Sequence, residues 1–337
     1  MIKKIAFFDA KKYDKEFFNK ANEKYGFDIH YFQSQLSLSN VKITEGFDGI
    51  CVFVNDTIDA PVIDYLEKNN VEIIALRCAG YNNVDLRKAC DKLKIVRVPD
   101  YSPYSVAEHT VTLMMSLNRK IHRAYNRTRE LNFSLQGLMG FDFFGKTAGI
   151  IGTGKIGKNV IHILKGFGMK ILAYDLKPDL PWARENHITY VDLKELYSSS
   201  HVISLHCPLT EDTEYIINEE NIKMMKKGVM LINTGRGKLI DTKALINGLK
   251  TGQIGFAGLD VYEEEKKYFF EDFSDTIMND DTLARLLTFN NVIITSHQGF
   301  FTREALTNIA EITLKNLSNH FNGISSGNEL CYYCAKV

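Results

Sequence analysis

Two histidines, one arginine and several carboxylates stand directly behind apolar, strand-length runs of this sequence. His206 ends the run Val202–His206, and His297 comes two residues after Val292–Thr295. Arg236 follows Val229–Asn233 in Asn233-Thr234-Gly235-Arg236-Gly237, and Asp260 with Glu263-Glu264-Glu265 follows the run Gly255–Val261. In open parallel sheets, ligands bind beyond the carboxyl ends of the strands, so these positions carry more weight than other polar residues. An imidazole titrates near neutrality and can hand a proton to a nascent alkoxide and take it back. A guanidinium offers a planar fork to a carboxylate and a neighbouring carbonyl. A carboxylate against the second ring nitrogen fixes the tautomer and favours the imidazolium. Together these groups suit hydride transfer to or from a keto acid. Residue types alone leave open whether His297 or His206 is the acid/base. His109 lies on a helix and reads first as a packed histidine.

Hydride transfer needs a nicotinamide, and the sequence has a place for one. Gly152-Thr153-Gly154-Lys155-Ile156-Gly157 fits G-x-G-x-x-G, with strand Thr147–Ile151 before it and helix Lys155–Phe167 opening within it. Asp175 ends the following strand, Lys170–Tyr174. The first glycine permits a tight turn, the second a close approach of pyrophosphate, the third close helix–strand packing. The helix N-terminus then presents amides and partial positive charge to the phosphates. Asp175 is placed to accept from the ribose hydroxyls and to repel a 2′-phosphate. NAD rather than NADP is therefore the expected cofactor.

Strand-length runs at Lys4–Asp9, Asp48–Val54, Val71–Arg77 and Lys94–Val98 alternate with helical patterns at Lys15–Lys24 and Pro61–Lys68. Near-continuous apolar strands between helices predict a parallel sheet covered on both faces. The pattern breaks at Val98-Pro99-Asp100-Tyr101-Ser102-Pro103, an extended connector. Ser105-Val106-Ala107-Glu108 then has capping-box spacing, which predicts a helix of about four turns starting there. A second series of six strands runs from Lys146 to Thr295, and one more helix, Thr302–Phe321, follows. The fold expected is α/β, with two doubly wound parallel-sheet domains. A Rossmann NAD-binding domain, residues 102–298, is inserted in a flavodoxin-like domain made of residues 1–101 and 299–337.

The 337 residues suit two such domains, and 41 basic against 41 acidic side chains disfavour a nucleic-acid partner. No apolar run nears the roughly 18 residues that cross a bilayer, and the apolar stretch before Asp9 is too short for a signal peptide. Six cysteines suit a reducing cytoplasm. Cys331-Tyr-Tyr-Cys334 lacks the further ligands a zinc site needs, so no metal is expected. Val111, Leu113, Met114, Met115 and Leu117 put apolar groups on more than one face of their helix, which suits an intersubunit role.

Taken in order, Gly152–Gly157 with Asp175, His206-Cys207-Pro208-Leu209-Thr210, Asn233–Gly237, Gly258-Leu-Asp-Val-Tyr262 and His297-Gln298 resemble the D-isomer-specific 2-hydroxyacid dehydrogenases. Its fermentative bacterial members, which interconvert pyruvate and D-lactate, are the nearest likeness. The resemblance implies Arg236 as the group that binds the substrate carboxylate, His297 as acid/base and Glu265 as its partner. It implies cofactor contacts from Val106, Gly152, Thr153, Gly154, Lys155, Ile156, Gly157, Asp175, Cys207, Pro208, Thr234, Gly235 and Asp260. Ala79, Gly80, Tyr101 and Phe300 would meet the substrate. It further implies a homodimer or homotetramer. Hydroxypyruvate, phenylpyruvate and 2-ketoisocaproate are the rival substrates, and an NAD-sensing corepressor the rival class.

Overall fold

Short apolar runs, buried along their whole length, form the centre of both sheets. Gly49–Val52, Ile73–Leu76, Val202–Leu205 and Val229–Asn233 are inaccessible at every residue, as parallel strands covered on both faces must be. The computed structural model describes residues 2–332, so Cys334 of the tail pair lies outside the described residues. The chain divides into two compact units, one of residues 1–102 with 301–337, the other Pro103–Phe300. The sequence had suggested divisions at 101/102 and 298/299.

In the first unit, β1 (Lys4–Phe7), β2 (Asp28–Tyr31), β3 (Gly49–Val52), β4 (Ile73–Leu76) and β5 (Lys94–Arg97) form one parallel sheet ordered β2-β1-β3-β4-β5. This is the flavodoxin-like order. Helix Lys12–Asn22 packs against helix Arg303–Phe321, which also lies on β4. Thr302 caps the latter, its Oγ1 accepting from the Ala305 amide at 3.3 Å. Past it, Leu330 N–H donates to Ile95 O (2.8 Å) and Arg97 N–H to Asn328 O (3.1 Å), so the later segment pairs antiparallel with β5.

In the second unit, β6 (Thr147–Ile151), β7 (Lys170–Tyr174), β8 (Thr189–Tyr190), β9 (Val202–Leu205), β10 (Val229–Asn233), β11 (Ile254–Leu259) and β12 (Val292–Ile294) form a second all-parallel sheet. Its order is β12-β11-β10-β9-β6-β7-β8. The chain runs outward from β6 to β8 and returns to β9 on the other side of β6. That reversal puts a crevice between the loops after β6 and β9, the usual dinucleotide position.

Three details differ from the sequence reading. The helix after the connector spans Pro103–Arg119, so Ser105 lies inside it, buried, and is not its cap. Pro103 at the first helical position sets the start, because its fixed φ suits the helix and its missing N–H is not needed there. β2 and β8 have no strand-like apolar run. Both are edge strands, and β2 alternates exposed and half-buried residues, Asp28 and His30 among them.

Candidate active site

The crevice begins at Gly152, whose φ of +94° lets β6 turn away sharply. A Cβ there would lie 2.6 Å from the Cys207 nitrogen, and one at Gly157 would lie 2.1 Å from Gly152 O. These two glycines therefore permit backbone-on-backbone packing. Gly154 differs: nothing lies within 4 Å of the place its Cβ would take. It is the N-cap of helix Lys155–Gly166 and, as a glycine, has no side chain to place over the helix N-terminus. An open cradle at a helix N-terminus fits a pyrophosphate.

At the end of β7, Asp175 Oδ2 accepts from the Thr153 amide (2.6 Å) and hydroxyl (2.9 Å), and Oδ1 from the Lys177 amide (2.9 Å). Burial pushes this carboxyl up, but those hydrogen bonds, aided by the Lys158 charge, hold it below the usual range. It is thus a fixed anion with acceptor capacity left for ribose hydroxyls. Thr153 is itself fixed by the Tyr190 hydroxyl at 2.7 Å. Behind Gly152, burial pushes the Cys207 thiol up to about 11, so it stands uncharged.

Beyond β10, Asn233 Oδ1 accepts from the Gly235 amide (3.0 Å) while its Nδ2 donates to Arg236 O (2.8 Å). This side chain shapes the loop that presents Arg236. The Arg236 guanidinium is half-buried and gives one hydrogen bond, from Nη1, to the neighbouring Gly235 O (2.7 Å). Thr234 meets the helix through Thr110 Oγ1 at 2.9 Å, on the stretch that also carries the buried Val106.

His297 Nδ1 stands 3.0 Å from Glu265 Oε1, and Glu265 Oε2 accepts from the Tyr262 amide at 3.1 Å. Both carboxylate oxygens are therefore oriented, and the ring is tethered with Nε2 as its remaining nitrogen. The two side chains are 19% and 20% exposed, so the pair is sheltered but open on one side. Glu263 instead accepts from the Thr242 amide, and Glu264 pairs with Lys267. Of the three glutamates, Glu265 is the one that reaches the histidine. His206 behaves differently. Its Nε2 lies 2.9 Å from Ser204 Oγ, and burial pulls its pKa down to about 4. A ring that is neutral across the physiological range makes a poor proton donor, which weighs against it as the acid.

Sequence reasoning did not anticipate the work of Asp260. This buried carboxylate receives Thr295 Oγ1 (2.5 Å) and the amides of Gln298 and Gly299 (both 2.8 Å), and its carbonyl takes the His297 amide (2.7 Å). His109 Nε2 is 3.2 Å away. Burial works to raise this carboxyl, but His109 and Thr295 bring it below the ordinary value. Spacing along the chain shows none of this. His109 and Thr295 are 186 residues apart.

The remaining expected substrate residues sit as follows. Ala79 and Gly80 follow β4 in the first unit, where Ala79 O accepts from Arg97 Nη1 (2.8 Å) and Gly80 O from Cys78 Sγ (3.3 Å). Tyr101 belongs to the same unit, its carbonyl accepting from Asn308 Nδ2 at 2.5 Å. Phe300 is a buried residue at the end of the second unit.

Comparison with known proteins shows the family. The family model described as "D-isomer specific 2-hydroxyacid dehydrogenase, NAD binding domain" matches residues 111–299. The D-lactate dehydrogenase of Escherichia coli (strain K12) is 51% identical, the alignment covering 97% of this chain and 99% of that protein. The solved pyruvate reductase of Chlamydomonas reinhardtii superposes with a TM-score of 0.91 at 42% identity, covering 97% of this chain and 98% of that one. The Aquifex aeolicus D-lactate dehydrogenase, solved with NAD and lactic acid, gives a TM-score of 0.86 at 32% identity over 97% and 98% of the two chains.

Proposed function

The chain belongs to the D-isomer-specific 2-hydroxyacid dehydrogenases, and from that premise we propose that it interconverts pyruvate and D-lactate, with Arg236, His297 and Glu265 as the reacting machinery. The observation that carries this reading is the His297–Glu265 pair, 3.0 Å apart and open on one side. NAD is the cofactor, and in its reduced form it supplies the hydride that the keto carbon accepts. The residues named for it fit: the open cradle over Gly154, the helix N-terminus that begins at Lys155, and the Asp175 anion beyond β7.

The chain's own groups do the rest. Arg236 has donors left after its bond to Gly235 O and binds the substrate carboxylate as a fork, orienting the keto group. His297 delivers a proton from Nε2 to the carbonyl oxygen as the carbon is reduced, and recovers it in the reverse direction. Glu265 keeps Nδ1 protonated and stabilises the imidazolium, so Nε2 is always the nitrogen presented.

Two wider features go with the reading. Among the described residues no helix is long and apolar enough to cross a membrane, and a cytoplasmic location suits the NADH on which the reaction depends. Ile121, Tyr125, Leu131, Phe133, Leu135, Met139 and Phe144 are each more than half exposed along one stretch of chain. Beside them lies a hollow of about 420 Å³ lined by Val111, Met115, Arg119 and Ile121. So much exposed apolar surface suits burial against a second copy of the chain, as a homodimer or a homotetramer. Light scattering that gives a monomer would remove this part of the proposal.

The decisive assay is NADH oxidation with pyruvate, hydroxypyruvate, phenylpyruvate and 2-ketoisocaproate, with the product's chirality determined. Pyruvate is expected to have the highest kcat/KM and to give D-lactate. An L product, or no turnover of any keto acid, would overturn the proposal.

A further inference from the structure

The protons around Asp260 can be assigned from the geometry. Asp260 accepts at both oxygens, as an ionised carboxylate does. The Thr295 hydroxyl donates its single proton to Asp260 Oδ1 at 2.5 Å, so toward His109, 3.1 Å away, it can only accept. His109 Nε2 therefore faces two acceptors, Thr295 Oγ1 and Asp260 Oδ1 (3.2 Å). It must carry a proton, and in the neutral ring Nδ1 is the bare nitrogen.

What depends on that N–H is the strap Thr295–Gly299. Asp260 holds three successive residues of it, through bonds from the amides of His297, Gln298 and Gly299. Within this strap His297 adopts a φ of +52°, a left-handed conformation uncommon for a residue with a Cβ, and the bonds to Asp260 help to hold it. The strap is also pressed against the pair. A Cβ on Gly299 would lie 3.0 Å from Asp260 Oδ2 and 3.5 Å from His109 Cδ2. A buried carboxylate that loses one of its donors shifts or draws in water, and the strap would move with it.

We propose that His109 is a positioning residue for His297: an Nε2–H donor that fixes the Asp260 carboxylate and, through it, the strap that carries the acid/base. The inference rests on the role of His297 proposed above.

The test compares His109→Leu with His109→Gln, whose side-chain amide can donate at similar reach. The leucine variant is expected to lose about 10- to 100-fold in kcat for pyruvate reduction, with KM for pyruvate changed by less than about threefold. Glutamine is expected to restore most of the loss. Imidazole ¹⁵N NMR of the wild-type protein without added nucleotide should show His109 protonated at Nε2. Wild-type kcat in His109→Leu, or an Nδ1–H tautomer, would overturn the inference. If the leucine variant does not fold, Thr295→Val against Thr295→Ser replaces it. Valine is expected to lower kcat and serine to preserve it, and an unchanged valine variant would count against the proposal. A wild-type enzyme inactive on every keto acid would strike the proposed function instead, leaving the tautomer measurement to stand by itself.

Discussion

Each sheet carries a cluster of charge beyond the carboxyl ends of its strands, and the two clusters treat water in opposite ways. In the first unit Arg77, directly after β4, is 2% exposed. Its guanidinium lies 4.6 Å from the rings of both Phe7 and Phe53, donates from Nη2 to Asp9 O (2.8 Å), and stands 3.4 Å from Asp14 Oδ1. Asp56 nearby takes the amides of Leu36 and Phe53, both at 2.5 Å. In the second unit, His297 and Glu265 keep about a fifth of their surface exposed, and Arg236 is half-buried. The same address in the fold thus serves two ends. Charges packed against one another out of reach of solvent brace loops. A charge with donors left over, beside a ring that water can reach, can meet a small anion and move a proton. The number of charged residues does not distinguish the two, but access does.

Four experiments break or sharpen this contrast. The largest effect is expected for Arg77→Met, which strands buried carboxylates and should lower the opening free energy of β1 and β4 by about 3–5 kcal/mol. Native-state hydrogen exchange reads this strand by strand. A loss under about 1 kcal/mol would show that the buried cluster is not a brace. His297→Gln should cut kcat by roughly 10²-fold or more while leaving exchange protection unchanged. If protection in β11 and β12 falls with activity, the open cluster is structural as well. Arg236→Gln should raise KM for pyruvate by about 10- to 100-fold, the worth of a charge-assisted contact. An unchanged KM would deny it the carboxylate.

The smallest effect concerns pH. Burial pushes Asp56 up to about 6, although Arg77 and the two amides pull the other way. The folded unit therefore holds that proton more tightly than the unfolded chain, whose carboxyl titrates near the usual 3.8. This term favours the fold below about pH 4 and is lost as pH rises through 6. Exchange protection of β3 should fall across that window in the wild type and fall less in Asp56→Asn. Equal slopes would take Asp56 out of the balance.

The open cluster was the more legible of the two in the sequence. Arg236, Asp260 and His297 each come within a few residues of the end of an apolar run, so strand periodicity already places them together. The glycine motif is equally local, because its turn, cradle and packing contact fall within six residues. Resemblance was needed to choose among Glu263, Glu264 and Glu265, since a run of like residues after a strand carries no geometry of its own. The buried cluster was invisible. Arg77 reaches Asp9 across 68 positions, and no periodicity links them. The Ser105–Glu108 spacing misled for a physical reason: a proline two residues upstream sets a helix start more firmly than a capping pair does. The edge strands β2 and β8 were missed because a strand with one neighbour needs no apolar run.

The division of the chain also orders events in time. Helix Arg303–Phe321 covers β4 and helix Lys12–Asn22, and residues 328–330 complete the edge at β5. The strands of the first unit precede the inserted unit, yet their sheet is not fully covered until helix Arg303–Phe321 and residues 328–330 have been made. At about 5–20 residues per second, the strands β1 to β5 wait roughly 10 to 60 seconds for their cover. The inserted unit is continuous and can close first. Newly made chains are therefore most exposed to aggregation and proteolysis through β4 and β5, and these are the strands a chaperone would be expected to shield.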